Sequence, residues 1–352
     1  MREKSMIIAG PCSAETREQV LDTALQLREL GIEWFRAGLW KPRTYPGCFE
    51  GVGEKGLQWL FEVKRQCGMK VCTEVSRASH VEACAKAGVD MVWIGARTTA
   101  NPFLVQEIAQ ALPGTGMSVF VKNPVNPDLE AWTGAVERLR TASQKKIGLI
   151  HRGFSSFNEK IYRNSAAWDA VVQMRSRFPE LPFYCDPSHL GGKVEYVREI
   201  SQKAMDLGLD GLMIESHCNP SAALSDSAQQ LTPARLAALL DSLEVRAKDT
   251  EDAKYTLELE EFRAQIDALD ETIVDALASR MELSRKIGAL KKTHNVSIIQ
   301  ARRWDTVMKR IVRIGNGRGL SEDFVHRVFD EIHKGSVNEQ ETIPDCSEPR
   351  HK

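Results

Sequence analysis

Phe183-Tyr-Cys-Asp-Pro-Ser-His189, followed by Gly191-Gly192, is an apolar run that breaks on a charged, proline-bearing turn. The run from Leu181 to Cys185 reads as a buried strand, and the turn presents an imidazole at its tip. The next apolar run, Gly211-Leu-Met-Ile-Glu215, ends in a carboxylate, and Asp226 follows in the loop beyond it. Near the N-terminus, Met6-Ile-Ile-Ala9 breaks at Gly10-Pro11 and presents Cys12. Outward from these three stretches the same unit repeats. Strands are expected at 5–12, 34–39, 70–75, 91–97, 118–123, 146–152, 181–185 and 210–215. Helices are expected between and after them, at 16–30, 54–67, 79–87, 102–111, 128–141, 165–178, 194–207 and 233–248. Most of the strands are near-continuous apolar runs, as strands covered on both faces should be. Eight strand–helix units in a row predict an α/β fold, a (β/α)8 barrel. An open doubly wound sheet fits less well, because no Gly-x-Gly-x-x-Gly turn follows the first strand.

At Ala247-Lys-Asp-Thr-Glu-Asp252 the alternation stops. Beyond this polar hinge Leu259, Phe262, Ile266, Leu269, Ile273, Leu277 and Met281 recur at helical spacing, predicting a long helix to about Lys292. Thr293-His-Asn295 break it. A second helix is expected over about 300–314 and ends at Gly315-Asn-Gly-Arg-Gly319. A third runs to about Gln340, with Ser321 as N-cap. The domain boundaries read as a barrel over 1–248, a linker over 249–256, an all-α domain over 257–341 and a disordered tail over 342–352. Three helices bury little core alone, so a homodimer pairing two long helices is expected.

A net charge of −1 over 352 residues argues against partners such as nucleic acid or a membrane surface, which favour lopsided charge. No apolar run approaches the roughly 18 residues of a membrane span, and Met1-Arg-Glu-Lys4 shows no signal-peptide pattern. The eight cysteines are scattered and form no Cys-x-x-Cys pair, which suggests reduced thiols and a cytoplasmic location.

In a barrel, functional groups gather at the C-terminal ends of the strands. Strands seven, eight and one become neighbours on closure, so Cys12, His189, Glu215 and Asp226 come within reach of one another. Taken singly, each is an ordinary buried thiol, capping histidine or solvated carboxylate. Together, thiolate, imidazole and two carboxylates form a divalent-metal site suited to zinc, manganese, iron or cobalt. Cations mark the other strand ends: Arg36, Lys41, Arg43, Arg97, Lys122 and Arg152. Facing one pocket they would repel one another unless a polyanion filled it. The pocket therefore expects highly anionic, phosphorylated substrates beside a Lewis acid.

Ala9-Gly-Pro-Cys-Ser13, Lys41-Pro-Arg-Thr44, Ile94-Gly-Ala-Arg97, Val121-Lys-Asn123, His151-Arg-Gly153, Asp186-Pro-Ser-His189, Ile214-Glu215 and Leu224-Ser-Asp226 resemble the compact type I 3-deoxy-D-arabino-heptulosonate 7-phosphate (DAHP) synthases. The resemblance covers about the first 245 residues. It implies condensation of phosphoenolpyruvate with erythrose 4-phosphate, the first step of the shikimate pathway. It assigns Cys12, His189, Glu215 and Asp226 to the metal, and Arg36, Arg97, Lys122 and Arg152 to phosphoenolpyruvate. Arg43 and Thr44 go to erythrose 4-phosphate, and Lys41 to the reacting centre as proton donor. A synthase making the eight-carbon homologue is the nearest competitor, against which Lys41-Pro-Arg-Thr44 argues for the four-carbon sugar.

From about Leu259 to Gln340 the chain resembles the all-helical chorismate mutases, through Arg263, Arg280, Lys291, Arg302-Arg303, Ser336 and Gln340. That resemblance implies interlocked chains and rearrangement of chorismate to prephenate, which needs no acid or base. Arg263, Arg280 and Arg303 would hold carboxylates or orient the substrate, with Ser336 beside them. Lys291 and Gln340 would donate to the ether oxygen. Two positions depart from the family: Trp304 stands where a glutamate is usual, and Gln300 where an aspartate is common. The alternative to a bifunctional enzyme is a synthase whose helical domain only senses a pathway product, with prephenate as inhibitor.

Overall fold

The computed structural model describes residues 6–42, 45, 47–157, 159, 161–245, 253–298 and 301–342. The chain divides into two compact units, Met1–Lys248 and Asp249–Lys352. The first is a closed barrel of parallel strands: β1 (Met6–Gly10), β2 (Trp34–Arg36), β3 (Lys70–Val75), β4 (Met91–Ile94), β5 (Ser118–Lys122), β6 (Ile147–His151), β7 (Phe183–Cys185) and β8 (Gly211–Glu215). Closure comes from β1 lying along β8, from Met6 opposite Gly211 to Gly10 opposite Glu215. Helices α1 (Arg17–Glu29), α2 (Lys55–Cys67), α3 (Ala78–Lys86), α4 (Ala96–Thr99), α5 (Pro102–Ala111), α6 (Leu129–Thr141), α7 (Trp168–Arg177), α8 (Pro187–Gly191), α9 (Val194–Asp206) and α10 (Pro233–Asp241) complete the unit.

Two apolar layers explain the unbroken strand runs. Alternate strand residues such as Ile8, Met91, Trp93, Phe120, Tyr184 and Met213 fill the barrel. Their neighbours, such as Ala9, Val92, Val119, Phe183 and Leu212, pack outward with the helices. Gly148 gives the Phe120 ring its space, since a Cβ there would lie 2.6 Å from it. Gly10, at φ +146°, allows the backbone of Arg36 to approach where a Cβ would meet its carbonyl oxygen at 2.1 Å.

Several boundaries differ from the sequence reading, for local reasons. The fourth strand stops at Ile94, and Arg97 rides on the short helix α4 instead of ending the strand. The turn holding His189 is not an open loop but the one-turn helix α8. Asp186 caps it by accepting from the His189 amide at 3.0 Å, and Pro187 takes its first turn. The second strand is three residues long, ending at Arg36, and α10 ends at Asp241 rather than near residue 248.

The second unit consists of α11 (Ala253–Thr293), α12 (Ala301–Asn316) and α13 (Glu322–Glu341). Helix α11 takes in residues 253–256, which the sequence reading gave to the linker. The Ser321 hydroxyl accepts from the Phe324 amide and caps α13, as expected. Helix α13 packs on both of the others, yet few side chains are buried; Met308 and Val325 are the large apolar ones among the described residues. Phe262, Ile266, Leu269 and Ile273 are all more than half exposed, and Leu283, Ile287 and Leu290 extend the apolar stripe. The expected tail lies outside the described residues beyond Thr342. No helix among the described residues is long and apolar enough to cross a membrane.

Candidate active site

The register of β1 on β8 places Cys12 two residues beyond Gly10, over the end of Glu215. Helix α8 turns His189 back toward both. Ligand atoms of Cys12, His189 and Glu215 all lie within 4.8 Å of one another. Zinc-type ligands about 2.0–2.3 Å from one ion stand up to about 4.6 Å apart, so the spacing has the right size. Asp226 joins at one edge: its Oδ2 accepts from the Cys12 thiol at 3.3 Å, but it is not part of that three-way cluster.

The protonation states suit cation capture. Burial, with Glu215 nearby, pushes the Cys12 thiol up to about 12, so without a cation the sulfur keeps its proton and donates it to Asp226. Burial lowers His189, leaving a neutral ring whose Nδ1 donates to Asp186 at 2.8 Å. The Nε2 lone pair then faces Glu215 at 3.6 Å. Burial alone would raise the Glu215 carboxyl, but His189 and then Arg36, at 3.0 Å, hold it below its ordinary range. A soft sulfur, a borderline imidazole and hard oxygens form a donor set that fits a divalent transition ion or zinc.

Arg36 lies deeper than the other strand-end cations. It is fully buried beneath the site, bonded to Glu215, 3.8 Å from Asp186 and over the Trp93 ring at 5.0 Å. It neutralises those carboxylates, and its buried Nε and Nη1 have no hydrogen-bond partner among the described residues. Asp186, quoted in the sequence only as part of the turn, is the buried hub. It accepts from Lys122 Nζ at 2.6 Å and from both the ring and the amide of His189. Burial would raise its carboxyl, yet His189, Lys122 and Arg36 hold it well below the usual range.

Above these groups opens a cavity of about 230 Å³ walled by Lys41, Arg97, Lys122, Arg152 and Arg163, with His189 and Asp226 at its floor. Lys41 Nζ donates to the Cys12 carbonyl at 3.1 Å and reaches its sulfur at 3.2 Å. Arg152 donates to Asn164 at 3.1 Å, and Asn164 donates to the His189 carbonyl at 2.7 Å. Burial lowers Arg152 to about 10, which leaves it charged at neutral pH. Sequence reasoning missed Arg163, because it lies in the long β6–α7 connection and ends no strand. Arg43 and Thr44 lie outside the described residues.

His151, whose motif suggested the pocket, serves structure. Its Nε2 donates to the Ala166 carbonyl at 2.6 Å, and its buried Nδ1 has no hydrogen-bond partner among the described residues. Burial pulls the ring from 6.5 to about 4. A depressed histidine favours the fold above its unfolded pKa and loses that contribution as pH falls. Between pH 7 and pH 5 the group should remove about 2 kcal/mol of barrel stability. Urea unfolding at the two pH values should show this loss, and His151→Gln, which keeps a donor to Ala166, should abolish most of it. An equal acid loss in the variant would contradict the assignment.

In the helical unit, Lys291 Nζ donates to the Ile298 carbonyl at 2.6 Å and to Gln340 Oε1 at 3.3 Å. Both side chains line a cavity of about 300 Å³. Arg280 is bonded to the Ser336 hydroxyl one turn away. Arg263 is 61 % exposed and paired with Glu260 on its own helix, and Arg303 is exposed; neither lines that cavity among the described residues. Trp304 stacks on His333 at 3.9 Å. Gln300 lies outside the described residues.

Residues 2–252 match the model of the DAHP synthetase I family, and residues 262–341 match chorismate mutase type II. A phospho-2-dehydro-3-deoxyheptonate aldolase of Thermotoga maritima is 37 % identical over 225 residues, 64 % of each chain, so the match spans under two thirds of that relative. A 2-dehydro-3-deoxyphosphooctonate aldolase of Stenotrophomonas maltophilia is 31 % identical over 261 residues, covering 67 % of this chain and 89 % of its own. The crystal structure of the Thermotoga maritima DAHP synthase superposes with a TM-score of 0.61 at 36 % identity, covering 67 % of each chain. With a closed eight-stranded barrel and this family match on the same residues, the chain belongs to the DAHP synthetase I family and carries a chorismate mutase type II domain after its barrel.

Proposed function

We propose that the barrel condenses phosphoenolpyruvate with erythrose 4-phosphate to give DAHP and phosphate, and that the helical unit converts chorismate to prephenate. The observation carrying the first reading is the Cys12–His189–Glu215 cluster, whose His189 lines a cavity walled by five cations. Arg97, Lys122 and Arg152 neutralise the phosphate and carboxylate of phosphoenolpyruvate, and Arg43 and Thr44 take the phosphate end of the sugar. Cys12, His189, Glu215 and Asp226 hold manganese, zinc, iron or cobalt, which when bound supplies a Lewis acid for the aldehyde oxygen. Lys41, 3.1 Å from the Cys12 carbonyl, is placed to protonate the oxygen formed as C3 of the enol joins the aldehyde carbon. Positive charge at C2 is then met by water, and phosphate leaves. Relatives of both sugar lengths match this chain; Lys41-Pro-Arg-Thr44 favours the four-carbon aldehyde.

For the helical unit, Lys291 and Gln340 are paired at the wall of one cavity, placed to stabilise charge on a breaking ether oxygen. The arginines Arg280 and Arg303, with Ser336, orient the dicarboxylate, and Arg263, exposed beside Glu260, serves the site of a second chain. A second reading, a sensor for prephenate without turnover, draws on Trp304, whose ring is taken up by His333 and offers no acceptor for the substrate hydroxyl. Assaying both reactions on one purified sample, with and without chelator, tests the whole reading: chelation should stop the condensation and spare the loss of chorismate. No chorismate consumed, with prephenate inhibition lost on deleting residues 257–352, would favour the sensor.

The exposed stripe on α11 supports a homodimer. Burying a leucine or isoleucine stabilises by about 1.5–3 kcal/mol. Leu269→Lys with Ile273→Lys should therefore shift sedimentation from two chains to one while helicity persists, because both side chains are exposed in the single chain. A double variant that stays dimeric would contradict this interface. The scattered, unpaired cysteines support a cytoplasmic location.

A further inference from the structure

The loop after β8 holds more polar anchors than the placement of one carboxylate needs. Asp226 itself sits at φ 45°, in the left-handed region, just before the short turn Ser227–Gln229. Two buried amides, Gln229 closing the turn and Gln230 after it, are each 1 % exposed. Gln230 accepts from the Cys12 amide at 2.9 Å and donates to the Ser225 carbonyl at 2.8 Å. Gln229 reaches the other strand end. Its Nε2 donates to Glu215 Oε2 at 2.8 Å, and its Oε1 accepts from Arg163 at 2.9 Å. The same guanidinium nitrogen donates to Asp226 Oδ1 at 3.1 Å.

This amide can lie only one way round. Its nitrogen must face the carboxylate and its oxygen must face the guanidinium. One buried side chain therefore links Glu215 directly, and Asp226 through Arg163. Holding Glu215 by Oε2 leaves Oε1 turned toward His189 Nε2 at 3.6 Å. Holding Asp226 by Oδ1, through Arg163, leaves Oδ2 turned to the Cys12 sulfur. The oxygens left on the imidazole and thiol side are Glu215 Oε1, which also accepts from Arg36 at 3.0 Å, and Asp226 Oδ2.

We propose that Gln229 is a positioning residue that orients Glu215 directly, and Asp226 through Arg163, before a cation arrives. This rests on the metal-site reading above. Hydrogen-bond partners of ligating groups tune metal affinity about 10–100-fold. Losing the amide should leave Glu215 held by Arg36 alone and Asp226 held by an Arg163 without its anchor, and weaken the site by that factor, without removing a donor.

The test is a Co²⁺ titration of the full chain, following the thiolate-to-cobalt band in the near ultraviolet and the ligand-field bands in the visible. Gln229→Met, of similar length, should bind about 10–100-fold more weakly. At saturation it should keep the thiolate band but show altered visible bands, as a carboxylate donor moves. A merely structural role would lower thermal stability and leave the visible bands of the loaded site unchanged. If Gln229→Met does not fold, Gln229→Glu carries the same expectation, since it keeps an acceptor for Arg163 and loses the donor to Glu215. Binding within about twofold of wild type, with unchanged bands, would overturn the role of Gln229 and leave the metal site standing. A wild-type chain that binds no Co²⁺ would overturn the metal site itself.

Discussion

Cys12→Ser is expected to cut the condensation activity of the barrel by on the order of a thousandfold, about 4 kcal/mol of transition-state stabilisation. The side chain is completely buried, and serine nearly matches its shape, so the fold should persist. What changes is the donor. A cation can displace the proton of the Cys12 thiol despite its elevated pKa, because metal binding and deprotonation are coupled. A hydroxyl resists deprotonation far more strongly, and its oxygen is a harder ligand. The variant should also lose the thiolate-to-cobalt band while keeping its circular dichroism. Full activity in Cys12→Ser at limiting metal would remove sulfur from the site and end the proposed ligand set.

Lys291→Ala should lower chorismate turnover by about 10²–10³-fold, the usual cost of removing one donor from an oxyanion-stabilising pair. The lysine is only half-buried, so truncation leaves no deep cavity. Its amine spans the Ile298 carbonyl and Gln340, the geometry of a group holding a position for a ligand oxygen. Condensation activity of the same sample should be unchanged. A variant that still consumes chorismate at the wild-type rate would mean the cavity beside Lys291 does no chemistry. Because the expected losses fall on opposite halves of the chain, the two variants also serve as controls for each other.

The barrel was legible because its information is local. Alternating strand and helix patterns need only neighbouring residues, and strand ends in a closed barrel converge whatever fills them. That is why Cys12, His189 and Glu215 could be grouped from spacing alone. Arg36 shows where such reading stops. It ends an apolar strand like the pocket cations, yet it lies under the floor against Glu215. Nothing in its neighbourhood along the chain distinguishes the two fates. Arg163 and Gln229 belong to connections whose path is set by what they bridge.

From the sequence by itself came the order of elements, the two-part organisation and the residue types gathered at the barrel mouth. Tertiary structure alone decided which of those groups pair. Lys122 meets Asp186 across 64 positions and Cys12 meets Asp226 across 214. It alone decided that Asp186 anchors His189 and that one amide ties Glu215 directly, and Asp226 through Arg163. The reason is physical: periodicity encodes which face of an element is buried, whereas a hydrogen bond between distant residues depends on ångström-scale closure of the whole barrel, to which no local pattern responds.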